Sequence, residues 1–156
     1  TKNQTIPYRH LVTLVQSKES TNEIEKTLLK TGDIKELNEY EKKNLESRIK
    51  CIKGWMDNHA PESVKFRIQE KAPVINFDND DLNRIKHLKE KIESIDWNPK
   101  SIHDSFYELQ EIHTTPAKEY FRIMYLIILG KERGPRLGFF LATIKQKFVI
   151  ERLKSY

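Results

Sequence analysis

The sequence lacks the features that define several classes of protein. Cys51 is its only cysteine, which excludes an internal disulfide and a cysteine-based zinc site and favours a reducing compartment, with the cytoplasm as the expected location. The longest strongly apolar run, Ile123 to Leu129, spans seven residues, far short of the roughly 20 that a transmembrane helix needs, so we expect no membrane partner. The N-terminus TKNQTIPYRH has neither an initiator methionine nor the pattern of a secretory signal. The chain therefore looks like a piece of a longer one.

Motifs for catalysis and metal binding are also missing. The histidines form no HxxxH pair with a third ligand, and no serine lies in a nucleophile elbow. The stretch DNDDLN, residues 78 to 83, lacks the glycine and the distal glutamate of a calcium loop, and capping of the next helix explains its acidic residues. We therefore expect no catalytic residue, no metal site and no cofactor site in this chain.

What the sequence does contain is helical periodicity along almost its whole length. Cap signals and apolar residues at three- and four-residue spacing predict successive helices. A capping box at Ser20 and Glu23 opens the second helix, and Asn98-Pro99 and Thr115-Pro116 are signals of an N-cap followed by a first-turn proline. The predicted helices cover residues 7–18, 20 to Gly32, 38–59, the segment after Asp81, 99–113, 116–129, 137–144 and 145–154.

Two of these helices carry a predicted buried face. In the third helix it consists of Tyr40, Leu45, Ile49, Ile52, Trp55 and Met56, and in the fourth of Leu82, Ile85, Leu88, Ile92 and Ile95.

The least helical part of the chain lies between the third and fourth helices. Val64, Phe66 and Ile68 alternate with polar residues, a period of two that is typical of a short extended piece, and Pro73 then breaks it. The sequence therefore predicts an all-α fold, a helical bundle or cage of two packed helical subdomains, residues 1–72 and 73–156, with at most a short extended connector.

Basic charge is concentrated at one end of the chain. Residues 117 to 156 contain nine basic and three acidic side chains, while the first 116 residues carry a net charge of −1. Such an asymmetry is typical of a protein that binds a phosphate-bearing partner. A lysine-rich helical surface that only faces solvent would have the same composition.

The stretch LGKERGPRLGFF, residues 129 to 140, is the most informative part of this basic region. Its glycines do not fit a P-loop, because the preceding segment is helical. They are better explained by structure: Gly130 as a left-handed helix cap, Gly134 with Pro135 as a turn, and Gly138 as a site of close helix packing. The basic residues between them are Lys131, Arg133 and Arg136, beside the acidic Glu132. An arginine on a stiff turn can bind a phosphate at two points or stack on an unpaired base.

At these residues the sequence resembles a known family. LGKERGPRLGFFLATIKQKFVIERL, residues 129 to 153, is similar to the C-terminal end of class I lysyl-tRNA synthetases. IPYRHLVTLVQ (6–16) and WMDNHAPESVKFRIQE (55–70) resemble further segments of the same family, in the same order. One departure is Lys145, where the family often has glycine before the last helix.

The resemblance implies that the chain is the helical, anticodon-binding part of such an enzyme. Its nucleotide-binding HIGH and KMSKS motifs are absent, so ATP would be used by a catalytic domain outside this sequence. The implied partners are the anticodon stem and loop of lysine tRNA and the chain's own catalytic domain, with no DNA. The residues that we expect to contact RNA phosphates or stack on bases are Lys131, Arg133 and Arg136, and a more diffuse phosphate-binding surface is expected at Arg122, Lys145 and Lys147. Phe139 and Phe140 could stack on bases, although aromatic residues at the start of a helix more often belong to the core. Arg9 and His10 are weaker candidates.

Two other interpretations remain open at this point. The equivalent helical domain of a glutamyl-tRNA synthetase would bind glutamate tRNA instead of lysine tRNA. A helical protein-interaction scaffold would bind RNA weakly and without a strong dependence on salt, whereas phosphate contacts weaken steeply as salt rises.

Overall fold

The computed structural model describes residues 5–156, and within that range the chain is all-α, as predicted, with no β-strand. No helix in this range is both long enough and apolar enough to cross a membrane. The helices are α1 (Tyr8–Ser17), α2 (Thr21–Thr31), α3 (Glu39–Asn58), α4 (Asn79–Ser94), α5 (Pro99–His113), α6 (Ala117–Leu129), α7 (Leu137–Ala142) and α8 (Gln146–Lys154).

Local cap signals explain where four of these helices begin. The side chains of Ser20, Asn38, Asp78 and Asn98 each accept a hydrogen bond from the backbone N–H three residues later. They thereby satisfy one of the free donors of the first helical turn. The predicted signal at Thr115 is wrong, because α6 begins after Pro116 with no side-chain cap. Glycine ends two helices in the left-handed conformation, at Gly32 (φ 79°) and Gly130 (φ 68°).

The connector between α3 and α4 is irregular, and its alternating residues form no strand. The predicted apolar face of α3 is confirmed at Leu45, Ile49 and Ile52, which are buried. The prediction is wrong for Tyr40, which is 69% exposed, and for Leu82 on α4, which is also exposed. Both residues lie in the first turn of their helices.

The chain forms two compact units, Thr1–Arg67 and Ile68–Tyr156. The sequence places its division a few residues later, at 72/73. Residues just after Arg67 belong to the second unit because the backbone N–H of Gln69 donates to the Ile128 carbonyl (2.8 Å) and Arg152 donates to the Gln69 carbonyl (2.5 Å). Hydrogen bonds of this kind cannot be read from local sequence.

In the first unit, α1 packs against α3, and a single glutamine fixes the start of the connector. The amide of Gln16 donates to the Val64 carbonyl (3.2 Å), and its oxygen accepts from the Phe66 backbone N–H (2.9 Å). These two bonds replace the strand ladder that the alternating residues suggest.

In the second unit, α5 and α7 approach each other most closely. An added Cβ on Gly138 would lie 2.9 Å from the Pro99 carbonyl oxygen and 3.2 Å from the His103 Cβ. The predicted role of Gly138 in close packing is therefore confirmed. Phe106, Tyr120 and Phe140 are the largest side chains buried in this unit.

Candidate RNA interface

The basic corner, residues 130–136, connects α6 to α7. Gly130 caps α6, with its N–H donating to the Leu126 carbonyl (2.9 Å), and the chain then runs without regular structure to Arg136. Lys131, Arg133 and Arg136 are all exposed on this short segment. The corner therefore presents three cations to solvent within six residues of one another.

The corner is held against the helix that precedes it. The hydroxyl of Tyr125 donates to the Pro135 carbonyl (2.5 Å), and burial raises the pKa of this tyrosine, so it remains a donor at neutral pH. The backbone at Gly134 lies so close to α6 that an added Cβ would be 2.7 Å from Leu129 Cδ1 and 2.9 Å from Tyr125 Cδ1. The predicted structural role of Gly134 is therefore seen as a close approach rather than as a hydrogen-bonded turn.

A buried arginine anchors the base of the corner. Arg152, which is 4% exposed, donates to the Ile127 carbonyl in the last turn of α6 (2.6 Å) and to the Gln69 carbonyl. Burial lowers the pKa of Arg152, yet a guanidinium keeps its proton in proteins. Its bond to Ile127 satisfies one of the carbonyls that a helix end leaves free. Sequence analysis missed this role, although Val149 and Leu153 place Arg152 on the buried face of α8.

The structure does not support a stacking role for the two phenylalanines that follow the corner. Phe139 is 5% exposed and Phe140 is fully buried, so both rings lie in the core of the second unit. Their position after Arg136 led to the prediction that they stack on RNA bases. The short helix α7 turns both side chains inward instead, since all six of its residues are buried.

Arg122 is predicted to belong to a phosphate-binding surface, but the structure places it in ion pairs with acidic side chains. Its Nη2 donates to both carboxylate oxygens of Asp81 (2.7 and 2.8 Å), and its Nε donates to Glu119 (3.1 Å). Arg84 donates to the same carboxylate (2.7 Å). Burial alone would raise the pKa of Asp81, but the hydrogen bonds from Arg122 and Arg84 hold it below its ordinary value. Arg122 is therefore committed to a structural ion cluster.

The remaining candidates are exposed or lie in the first unit. Lys145 is exposed at the N-cap of α8 with φ −67° and ψ 131°, an ordinary extended conformation, so this position does not require the glycine common in the resembled family. Lys147 is exposed and lies 3.9 Å from Glu151. Arg9 is exposed, and His10 is paired with Asp33 (3.0 Å), both within the first unit.

The acidic stretch before α4 is used for capping. Asp78 accepts from the Asp81 backbone N–H (2.8 Å), and Asp81 pairs with the arginines just described. Within residues 5–156, no group of three or more histidine, cysteine, aspartate or glutamate side chains is arranged to hold a metal ion.

Comparison with known proteins shows that this chain is similar to lysine–tRNA ligases. Its relatives are lysine–tRNA ligases: the enzyme of Thermoplasma acidophilum is 35% identical over 150 residues and that of Pyrococcus horikoshii is 33% identical over 151. The enzyme of Picrophilus torridus is 29% identical over 154 residues. These matches cover 95–96% of the chain but only about 29% of each relative. No protein-family model matches the chain. The resemblance to lysyl-tRNA synthetases is confirmed along almost the whole chain.

Proposed function

We propose that this chain is the tRNA anticodon-binding portion of a class I lysine–tRNA ligase. The observation that carries the proposal is the similarity to lysine–tRNA ligases along almost the whole chain. The sequence contains no HIGH or KMSKS motif, so we assign lysine activation with ATP to a catalytic domain outside the sequence. Lysine tRNA and that domain are the proposed partners, and the cytoplasm is the proposed location.

The basic corner is the proposed contact with RNA. Lys131, Arg133 and Arg136 project from a backbone held by Tyr125 and by the close approach at Gly134. A guanidinium on a fixed backbone loses little entropy when it binds a phosphate at two points. The unpaired bases of an anticodon loop can also stack on such a planar group. The corner is therefore suited to a bent, single-stranded RNA.

The contribution of phosphate contacts to RNA binding can be separated from the contribution of contacts to the RNA bases. Each phosphate that the corner neutralises releases counterions, so the affinity should fall as salt rises. Loss of one phosphate contact should weaken binding to every RNA and reduce the salt dependence by about one unit of slope. Loss of a base contact should weaken binding to the correct anticodon more than to a substituted one.

The experiment measures binding of the chain to lysine tRNA, to glutamate tRNA and to an anticodon-substituted lysine tRNA at two salt concentrations. Arg133→Ala and Arg136→Ala are tested beside Lys50→Ala, which removes an exposed cation of the first unit. We expect the anticodon change and both arginine changes to weaken binding and Lys50→Ala to have little effect. Equal binding to both tRNAs, unaffected by the arginine changes, would overturn the proposal. Preference for glutamate tRNA would assign the chain to the glutamyl enzyme instead.

A further inference from the structure

Burial of Phe139 and Phe140 leaves the corner without an exposed aromatic ring of its own. The neighbouring helix α5 carries two aromatic side chains on the part that packs against the start of α7. His103 and Tyr107 are one helical turn apart, their ring centroids are separated by 5.0 Å, and Tyr107 is 42% exposed. Residues four apart lie on the same face of a helix, so the two rings, inclined at 51° to each other, form an aromatic surface on one face of α5.

This aromatic surface lies beside the start of α7, where the corner ends. Gly138 lies close enough to His103 that an added Cβ would be 3.2 Å from the His103 Cβ. Arg136 accepts the first hydrogen bond of α7, from the Phe140 N–H (2.9 Å), and precedes Gly138 by only two residues. The backbone of Arg136 is therefore two residues from the point where α7 touches α5 at His103.

The exposed ring of Tyr107 is also held in place by rings that lie between it and the core. Tyr107 meets Phe121 edge to face, with centroids 6.2 Å apart, and Phe121 meets the buried Phe106 in the same way at 5.1 Å. Aromatic pairs at these separations and angles are favourable. The ladder of rings runs from the core to the surface, so Tyr107 can bind a flat group without first losing much side-chain freedom.

We propose that Tyr107, supported by His103, stacks on an unpaired base of the same RNA whose phosphates the basic corner binds. The inference rests on the proposed function, because it takes the RNA from there. It is favoured by position: the backbone of Gly138, two residues after the exposed Arg136, lies against His103, and grooves that bind single strands combine cations along the backbone with rings on which bases stack. The assigned ligand is a base of the anticodon loop, and uridine is the one that lysine anticodons supply.

The experiment uses an RNA hairpin with the lysine anticodon, in which each anticodon uridine is replaced in turn by 4-thiouridine, and a second hairpin with a substituted anticodon. Binding constants and light-induced crosslinks are measured for the unaltered chain and for Tyr107→Phe, Tyr107→Leu and Tyr107→Ala. Tyr107→Leu keeps apolar volume against Phe121 but removes the flat ring, and Tyr107→Phe keeps the ring. Tyr40→Ala is the matched control, because it removes an exposed tyrosine from the first unit.

We expect Tyr107→Ala and Tyr107→Leu to weaken binding by at least about fivefold, the effect of losing one stacked base. Tyr107→Phe and Tyr40→Ala should bind like the unaltered chain, and a crosslink should be found at Tyr107 or His103. If the unaltered chain distinguishes the anticodons but Tyr107→Leu and Tyr107→Ala bind as well as it does, this inference is overturned and the proposed function stands. If the unaltered chain does not distinguish the anticodons, the proposed function fails first.

Discussion

Replacement of Gly138 by alanine tests the close packing of α5 against α7. The new methyl group would lie 2.9 Å from the Pro99 carbonyl oxygen and 3.2 Å from the His103 Cβ, whereas ordinary contacts begin near 3.4 Å. Neither neighbour is the flexible end of a long side chain. The two helices must therefore separate by several tenths of an ångström, although Ile102 on one and Phe140 on the other are fully buried.

The expected cost follows from these contacts. Overpacking of a well-packed core costs about 1–3 kcal/mol, and the gain in helix propensity from glycine to alanine offsets at most about 1 kcal/mol of it. We expect Gly138→Ala to lower the free energy of unfolding by about 1–2 kcal/mol. Gly54→Ala is the matched control, because Gly54 lies within α3, four residues before its end, and a Cβ there meets nothing within 4 Å. It should raise the free energy of unfolding by up to about 1 kcal/mol.

Urea denaturation followed by circular dichroism measures both changes. A Trp55→Phe background leaves Trp97 as the one fluorophore of its type, and Trp97 reports on the second unit, since its Nε1 donates to the Ile144 carbonyl (2.7 Å). If Gly138→Ala stabilises the chain as much as Gly54→Ala does, the close approach of α5 and α7 is not a constraint on the fold, and the reasoning is refuted.

Three further predictions concern stability, each measured by urea denaturation. Because the pKa of Asp81 is lowered in the folded chain, its ion pairs stabilise the fold above the unfolded pKa of about 3.9, and this stabilisation is lost as the pH falls through the folded pKa. Asp81→Asn should therefore cost about 2 kcal/mol at neutral pH, and the free energy of unfolding of the variant should depend less on acid pH. An unchanged acid profile would contradict this. Arg152→Leu should cost about 2–3 kcal/mol, because buried carbonyls lose their donor; an unaffected stability would show that Arg152 is not an anchor. Thr114 is the one non-glycine residue described with positive φ (54°); Thr114→Gly should stabilise by up to about 1 kcal/mol, and a loss would refute strain there.

The helices could be predicted because their boundaries depend on local chemistry. A side chain such as that of Asn98 caps the helix that follows it within three residues, and Gly130 ends α6 through its own backbone conformation. These signals do not depend on the rest of the fold. The same holds for the exposure of Arg133 and Arg136, which follows from the break in helix at the corner.

Interactions between distant residues were not accessible in this way. Arg122 was predicted to bind phosphate because it is basic, but its partner Asp81 lies 41 residues earlier. Phe140 was predicted to stack on RNA because it follows the corner, but the direction of its side chain is set by the packing of α7. Sequence analysis did not single out Tyr107, because its distance from the corner along the chain hides the contact at Gly138 that brings α5 against α7.

The long reach of Arg152 has a consequence for synthesis of the chain. It binds the carbonyl of Gln69, 83 residues earlier, and the hydroxyl of Tyr156 binds the carbonyl of Pro73 across the same separation (2.5 Å). Such non-local bonds form late in folding, because the loop between them must first be closed. On the ribosome, the second unit can complete its fold only after residue 156 has left the exit tunnel. The first unit, whose connector bond spans 50 residues from Gln16 to Phe66, can fold while the second is still being made.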